Sequence, residues 1–307
     1  MYFCPMQKLK AYIQAARLRT LPLALTGICV GNACAHIAGI FSWTVFLLTL
    51  ATAILLQVLS NFANDYGDFV KGTDNEHRVG PERALQSGAL QRREMQLAMI
   101  ICGLLALACG IYLLLTAFRH FSRNDFLFFL ALGLLSIAAA VTYTVGKNAY
   151  GYHGLGDVMV FIFFGWVSVK GAYYLQTRLV DLSVLLPATS VGLFSMGVLN
   201  MNNTRDLEND AAMGKRTLPV RFGRTFARFY QLVAVIGGLF LSWVYLQFGV
   251  PSDLNWLYFA AVPAFFLTLR KMYAVNEPRQ YDLILKLTVL STLIYGLVFC
   301  VIGFSIH

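Results

Sequence analysis

The sequence predicts an all-α, polytopic membrane protein with nine transmembrane helices, and three observations carry that prediction. Hydrophobic residues make up 58% of the 307-residue chain and charged residues only 13%, whereas a soluble domain carries about 25% charged residues. Apolar runs recur along the whole length, each able to supply the roughly 20 helical residues that cross a bilayer core of about 30 Å. Lys and Arg are gathered in the stretches between those runs. Nine spans of about 20 residues leave little besides loops, so 1–307 reads as a single integral-membrane domain.

Taken in order, residues 1–20 intersperse Lys8, Lys10, Arg17 and Arg19 with Leu9, Tyr12, Ile13 and Ala16. That pattern suits a helix lying in the membrane interface, and it lacks the apolar core and cleavage site of a signal peptide. The spans follow at roughly 21–40, 41–60, 96–118, 126–145, 158–175, 182–201, 229–248, 256–272 and 285–304, with boundaries good to about two to four residues. The eighth has the shortest clean run and contains Pro263.

The formal charge of +9 comes from 24 Lys and Arg against 15 Asp and Glu. These cations form no single run, which argues against a nucleic-acid partner. Counted over the nine-span topology, 20 of the 24 fall on the side of the N-terminus and only Arg119, Arg123 and Arg178 lie opposite, with Lys170 inside the fifth span. For a protein expected in the bacterial inner (plasma) membrane, the positive-inside rule then predicts a cytoplasmic N-terminus and an external C-terminus. Twelve of the fifteen acids also lie on the cytoplasmic side, although acids contribute little to orientation. The second and sixth interspan loops therefore mix both charges densely.

The end of the second span reads Gln57, Asn61, Asn64, Asp65, Asp68, then Lys71, Gly72 and Asp74. On a continuous helix Asn61, Asp65 and Asp68 share a stripe, with Asn64 one turn before Asp68. A helix stop at Gly72 lets Asp74 fold back toward the same point. The end of the sixth span repeats the chemistry with Asn202, Asn203, Arg205, Asp206 and Asp210, followed by Lys215 and Arg216. The interval from Asp68 to Asp210 covers four spans and hints at a tandem repeat.

Carboxylate and amide oxygens beside Lys and Arg suit a metal-bound polyanion. Mg²⁺ prefers hard oxygen ligands, commonly one or two carboxylates plus substrate phosphates, and basic residues take the remaining phosphate oxygens. Candidate metal ligands are Asn64, Asp65, Asp68, Asp74, Asp206 and Asp210. One acidic helix end by itself is more often a solvated cap; two at matched span ends point to a diphosphate site.

At these residues the sequence resembles the UbiA-type intramembrane prenyltransferases, which join a polyprenyl diphosphate to an aromatic acceptor. Asn64 and Asp68 match the first motif, although the next position is Gly72 and the carboxylate comes at Asp74. Asn64-Asp65, Gly72-x-Asp74, Arg78-x-Gly80-Pro81-x-Arg83, Arg19-Thr20-Leu21-Pro22 and Asn202-Asn203-x-Arg205-Asp206 are similar to the 1,4-dihydroxy-2-naphthoate branch of menaquinone biosynthesis. So is Gly154-Leu155-Gly156-Asp157, where that branch often has Glu at the last position.

The resemblance implies a central cavity open to membrane lipid, a Mg²⁺-bound diphosphate at its cytoplasmic mouth, and loss of CO₂ as the prenyl group enters the ring. It implies catalytic roles for Asp68, Asp206, Asp210 and Asp157, the last as an acceptor-orienting group or base, or else merely a helix N-cap. Tyr143, Lys147, Arg78, Lys215, Arg216, Asn202 and Asn203 are the expected substrate contacts. Tyr143 and Lys147 read equally well as interface anchors, and Lys170 as a snorkelling lysine. His36, His77, His120, His153 and His307 show no metal-ligand spacing. The six cysteines, Cys4, Cys29, Cys34, Cys102, Cys109 and Cys300, read as packing residues. Alternative acceptors are 4-hydroxybenzoate and homogentisate. The rival class is a secondary transporter, disfavoured because transporters bind near the midplane whereas these acids crowd one face.

Overall fold

A computed structural model describes residues 5–76, 78–118 and 122–306; Cys4, His77, Arg119, His120 and His307 lie outside the described residues. The helices run α1 Pro5–Ala15, α2 Leu21–Ile37, α3 Trp43–Val70, α4 Arg92–Ala117, α5 Arg123–Thr142, α6 Gly156–Val160, α7 Gly171–Thr177, α8 Leu185–Arg205, α9 Leu207–Ala212, α10 Leu218–Gly249, α11 Val262–Ala274 and α12 Tyr281–Phe304. No strand occurs among the described residues. Every anticipated span coincides with helix, and seven helical stretches are long and apolar enough to cross a membrane. The other two spans do not meet that description. α8 is diluted by Pro187, Ser190, Ser195, Asn200, Asn202 and Asn203, and α11 has only 13 residues.

Three spans depart from simple helices, each for a local reason. The fifth is α6 and α7 joined by a wide-turned π-helical segment, Phe161–Lys170, a geometry that favours functional sites. The seventh starts early, at Leu218, and bends at Gly223, whose φ of 82° is open to a residue without Cβ. The eighth opens as a tight 3₁₀ stretch, Asn255–Ala261, and becomes α11 with Pro263 in its first turn, where proline's missing N–H costs nothing.

α8 is the central helix, with Val191, Phe194, Val198 and Met201 all buried against α2, α10 and α12. α2 approaches the Phe161–Lys170 segment closely because it carries Gly27 and Gly31. A Cβ there would fall 2.2 Å from Ser168 Oγ and 2.3 Å from the Val169 carbonyl oxygen, and small residues one turn apart commonly let membrane helices meet. α1 buries Ala11 and Ala15 in a cluster with Phe62, Leu85 and Met95, and leaves Met6, Leu9 and Ile13 exposed. This two-faced arrangement fits a helix lying along the bundle in the membrane interface.

Candidate active site

A cavity of about 380 Å³ opens among α2, α3, α4, α5, the Phe161–Lys170 segment and α8. Its apolar wall includes Leu23, Ile28, Leu56, Leu107, Phe129, Phe163 and Phe164. Its polar lining includes Arg17, Arg19, Thr20, Gln57, Ser60, Asn61, Asn64, Asp68, Arg83, Ser136, Tyr143, Tyr150, Ser168, Ser195, Asn202 and Lys215. Four cations thus meet one carboxylate, Asp68, on the cavity surface, a balance suited to a polyanion.

The first cluster is built by the way α3 ends. Gly72, at φ 75°, closes the helix, and the Thr73 amide returns to the Asp68 carbonyl at 2.9 Å while that of Gly72 bonds Phe69 at 3.1 Å. This is the paired bonding of a Schellman stop, and it folds Asp74 back toward Asp68 as anticipated. Arg83 is the hub: Nη1 lies 2.8 Å from Asp68 Oδ2 and 3.0 Å from Asp74 Oδ2, and Nε lies 3.6 Å from Asp65 Oδ1. These three carboxylates hold the Arg83 pKa above its ordinary value. Asp65 also accepts from Arg17, whose backbone sits at φ 49°. Asp74 pairs with Arg78 Nε at 3.2 Å, yet burial still pushes its carboxyl up to about 6. Asn64 is backed by Thr144, whose hydroxyl donates to the Ala63 carbonyl at 2.8 Å and lies 3.3 Å from Asn64 Oδ1. Gly67 permits that approach, since a Cβ there would meet Thr144 Oγ1 at 2.5 Å.

The second cluster is built on a bend. Asp206 has φ −94° and ψ 13°, so α8 stops at Arg205 and α9 leaves at a new angle. Arg205, only 1% exposed, clamps Asp206 with Nε at 3.0 Å and Nη2 at 2.7 Å, and also reaches Asn202 at 3.0 Å and Asp282 at 3.1 Å. That clamp holds the Asp206 pKa below its usual value despite burial. Asp210 is served less well. Lys215 Nζ is 3.6 Å from Oδ1, Oδ2 has no hydrogen-bond partner among the described residues, and burial pushes the carboxyl up to about 6. Lys215 faces both clusters, its pKa raised by Asp68 and Asp210. Asn209 Nδ2 donates to the Thr73 carbonyl at 2.9 Å, so the loops after α3 and α9 share one end of the bundle.

Not every anticipated residue reaches the cavity. Asn64, Asp68, Tyr143, Asn202 and Lys215 line it. Asp65, Asp74, Arg78, Asn203, Asp206 and Asp210 are packed behind its wall. Two of the expected substrate contacts, Lys147, just past the left-handed turn at Gly146, and Arg216, are exposed and off the cavity. Arg216 serves through its backbone, donating N–H to the Tyr152 carbonyl at 2.9 Å. Asp157 is also displaced. It lies inside the first turn of α6 rather than at the N-cap, behind the wall, and accepts from Tyr230 at 3.1 Å. Lys170 is half-buried and off the cavity.

Arg17, Arg19, Arg83 and Tyr150 on the cavity wall, and Tyr152 behind it, join the site without standing among the expected site residues. Arg19 and Arg83 stood in quoted motifs and were legible there. Arg17 and Tyr152 belong to the site only through partners far along the chain.

The donor set fits a hard divalent cation. Among the described residues no group of three or more His, Cys, Asp or Glu side chains is placed to hold a metal ion by itself, and Mg²⁺ commonly takes only one or two carboxylates beside substrate phosphates. Buried Asp210 Oδ2 and Asn203 Oδ1, neither with a hydrogen-bond partner among the described residues, are oxygens that such an ion would satisfy.

Relatives with this architecture are known. The chain is 43% identical over 290 residues to 1,4-dihydroxy-2-naphthoate octaprenyltransferase of Escherichia coli (strain K12), covering 94% of each chain. It is 41% identical over 299 residues to the Haemophilus influenzae protein of that name, covering 95% of each. Its fold matches a UbiA homolog from Aeropyrum pernix K1 with a TM-score of 0.70 at 19% identity, covering 93% of this chain and 98% of that one. It also matches a UbiA homolog from Archaeoglobus fulgidus bound to GPP and Mg²⁺, with a TM-score of 0.62 at 16% identity, covering 95% of this chain and 99% of that one. The UbiA prenyltransferase family model matches residues 20–290, and the chain belongs to that family.

Proposed function

We propose that this membrane enzyme transfers a polyprenyl group from polyprenyl diphosphate to 1,4-dihydroxy-2-naphthoate, releasing diphosphate and CO₂ and giving demethylmenaquinol. The observation that carries this reading is the 43% identity, over 94% of both chains, to an octaprenyltransferase named for that acceptor. The cavity supports it by combining a cationic polar end with an apolar interior.

In this reading Asn64, Asp68, Asp206 and Asp210 hold Mg²⁺, and Asp65 and Asp74 stand behind them. When bound, the metal neutralises charge on the departing diphosphate as a Lewis acid. Asp68 and Asn64 present oxygens on the wall, and Asp210 would offer its unpartnered Oδ2. Arg17, Arg19, Arg83, Lys215 and Asn202 receive phosphate oxygens; Arg is suited to bidentate contact and Lys to a point charge. Arg78 anchors Asp74. The isoprenoid tail lies along Leu56, Leu107 and Phe163, where water is excluded. Tyr143 and Tyr150, packed edge to face at 5.3 Å, present rings to the allylic carbon, whose positive charge ring faces stabilise. Asp157 acts from behind the wall by holding Tyr230.

Incubating the purified protein with Mg²⁺, a polyprenyl diphosphate and a panel of aromatic acids tests the reading. The expected product mass is acceptor plus prenyl group minus CO₂. A product that keeps its carboxylate, or turnover only with 4-hydroxybenzoate or homogentisate, moves the chain to another branch. The acidic clusters and N-terminus face the cytoplasm in this proposal, with the C-terminus outside. Single cysteines replacing Glu76 or Ala212 in a Cys-free background should resist impermeant reagents added to intact cells; labelling at either site without leakage overturns the orientation.

A further inference from the structure

Tyr152 lies on the short turn Tyr150–His153 between α5 and α6, off the cavity wall and 9% exposed. Its hydroxyl donates to Asp68 Oδ1 at 2.8 Å. A carboxylate can only accept and a phenol has one proton, so Thr73 Oγ1, 2.5 Å from the same phenol oxygen, is the donor on that side. The ring carries Lys71 Nζ 3.9 Å from its centroid and Lys215 Nζ 5.5 Å from it. The backbone carbonyl accepts from the Arg216 amide at 2.9 Å. One side chain and its carbonyl therefore touch Asp68, the loop after it, and the loop that follows the second acidic cluster.

We propose that Tyr152 is a positioning residue that fixes how Asp68 faces the cavity and holds the Lys215 ammonium beside it, joining the two clusters into one site. The inference rests on the reading of Asp68 as a cation ligand and Lys215 as a diphosphate contact. The terminal torsion of an aspartate is broad. With Oδ1 on Tyr152 and Oδ2 on Arg83 Nη1 at 2.8 Å, both oxygens are tethered and the lone pairs left for a cation have a defined direction. The ring acts separately, because attraction between an ammonium and a ring face needs no hydroxyl.

Substitution separates the two actions. Tyr152→Phe keeps the ring and removes the donor to Asp68, whereas Tyr152→Leu removes both. Thr73→Val removes only the donor to the phenol, and Thr73→Ser restores it. The measurement is Mn²⁺ binding by electron paramagnetic resonance to the purified full-length chain in detergent, with farnesyl thiodiphosphate as an unreactive probe. Probe affinity without metal and the thermal midpoint are measured alongside. Failure of the unsubstituted protein to bind Mn²⁺ sinks the underlying reading, whatever the variants do.

Given wild-type binding, Tyr152→Phe should weaken Mn²⁺ affinity by about 10–100-fold while leaving metal-free probe affinity unchanged. Tyr152→Leu should weaken both, and Thr73→Val should weaken Mn²⁺ affinity less than Tyr152→Phe, with Thr73→Ser close to wild type. Wild-type Mn²⁺ affinity in folded Tyr152→Phe, even with reduced turnover, overturns the positioning of Asp68. Equal probe affinity in the Phe and Leu variants overturns the Lys215 part. If the Tyr152 variants do not fold, Thr73→Val decides: unchanged Mn²⁺ affinity there overturns the proposal.

Discussion

At the end of α3 the helix runs straight through Asn64 and Asp68 to Val70, and both side chains reach the cavity. At the end of α8 the same Asn-x-x-x-Asp spacing meets a bend at Asp206, and only Asn202 reaches it. The partners differ as well. Arg83 serves three carboxylates of the first cluster at once, while in the second Asp206 is clamped by its neighbour Arg205 and Asp210 is left with Lys215 at 3.6 Å. Equal spacing yields an equal stripe only while the helix continues. Beyond a bend, each carboxylate's role depends on which cation packs against it.

This contrast can be broken experimentally, beginning with the largest effect. In the proposed mechanism chelation should abolish turnover and added Mg²⁺ should restore it, and Asp68→Ala should lower kcat about 100-fold or more with the protein still inserted. Turnover in excess chelator, or a nearly normal Asp68→Ala enzyme, would remove the first cluster from the chemistry.

Within the second cluster, Asp210→Asn should weaken metal affinity by about 10–100-fold with little change in thermal midpoint, since its carboxylate is poorly partnered. Asp206→Asn should also destabilise the fold by about 1–3 kcal/mol, because it removes the bidentate partner of a buried guanidinium that then keeps only Asp282 and Asn202. If the two variants exchange these phenotypes, the partner assignment is wrong.

A gentler probe is pH. The Asp210 and Asp74 carboxyls are held up to about 6, so below that pH they are protonated and a cation must displace the protons. Metal affinity should rise as pH increases toward about 6, with proton release on binding, and then level off. Calorimetry in buffers of different ionisation heat checks this, and pH-independent affinity across that range contradicts it. Raising pH through the same range without metal should lower stability, because these groups favour the folded state in their neutral form.

The smallest effects belong to the exposed cations. Lys147→Ala and Arg216→Ala should change kcat/KM by less than about twofold, whereas Lys215→Ala, which empties a position on the wall, should be far more damaging. A large loss at Lys147 would mean that this lysine swings into the cavity when substrate binds.

Apolar runs, Gly72 and the two acidic motifs were legible because each is a local property. A span needs enough consecutive apolar residues, a helix stop needs a residue tolerant of positive φ, and a motif needs only its own spacing. Arg19 and Arg83 could be read in the same way. The rest depends on contacts between distant segments. Arg17 reaches Asp65 across 48 residues and Tyr152 reaches Asp68 across 84, and no local pattern encodes either. Lys147 and Arg216 look like diphosphate contacts in one dimension, yet the turns that carry them aim them outward. α8 was legible as the sixth span despite its Ser and Asn residues, but that it lies at the centre of the bundle, where neighbouring helices replace lipid, was not. Composition and periodicity therefore determined which segments cross the membrane and where the chemistry clusters. The packing of α3, α8 and their loops decided which oxygens and cations reach the cavity, because side-chain direction depends on how helices end and meet rather than on residue order.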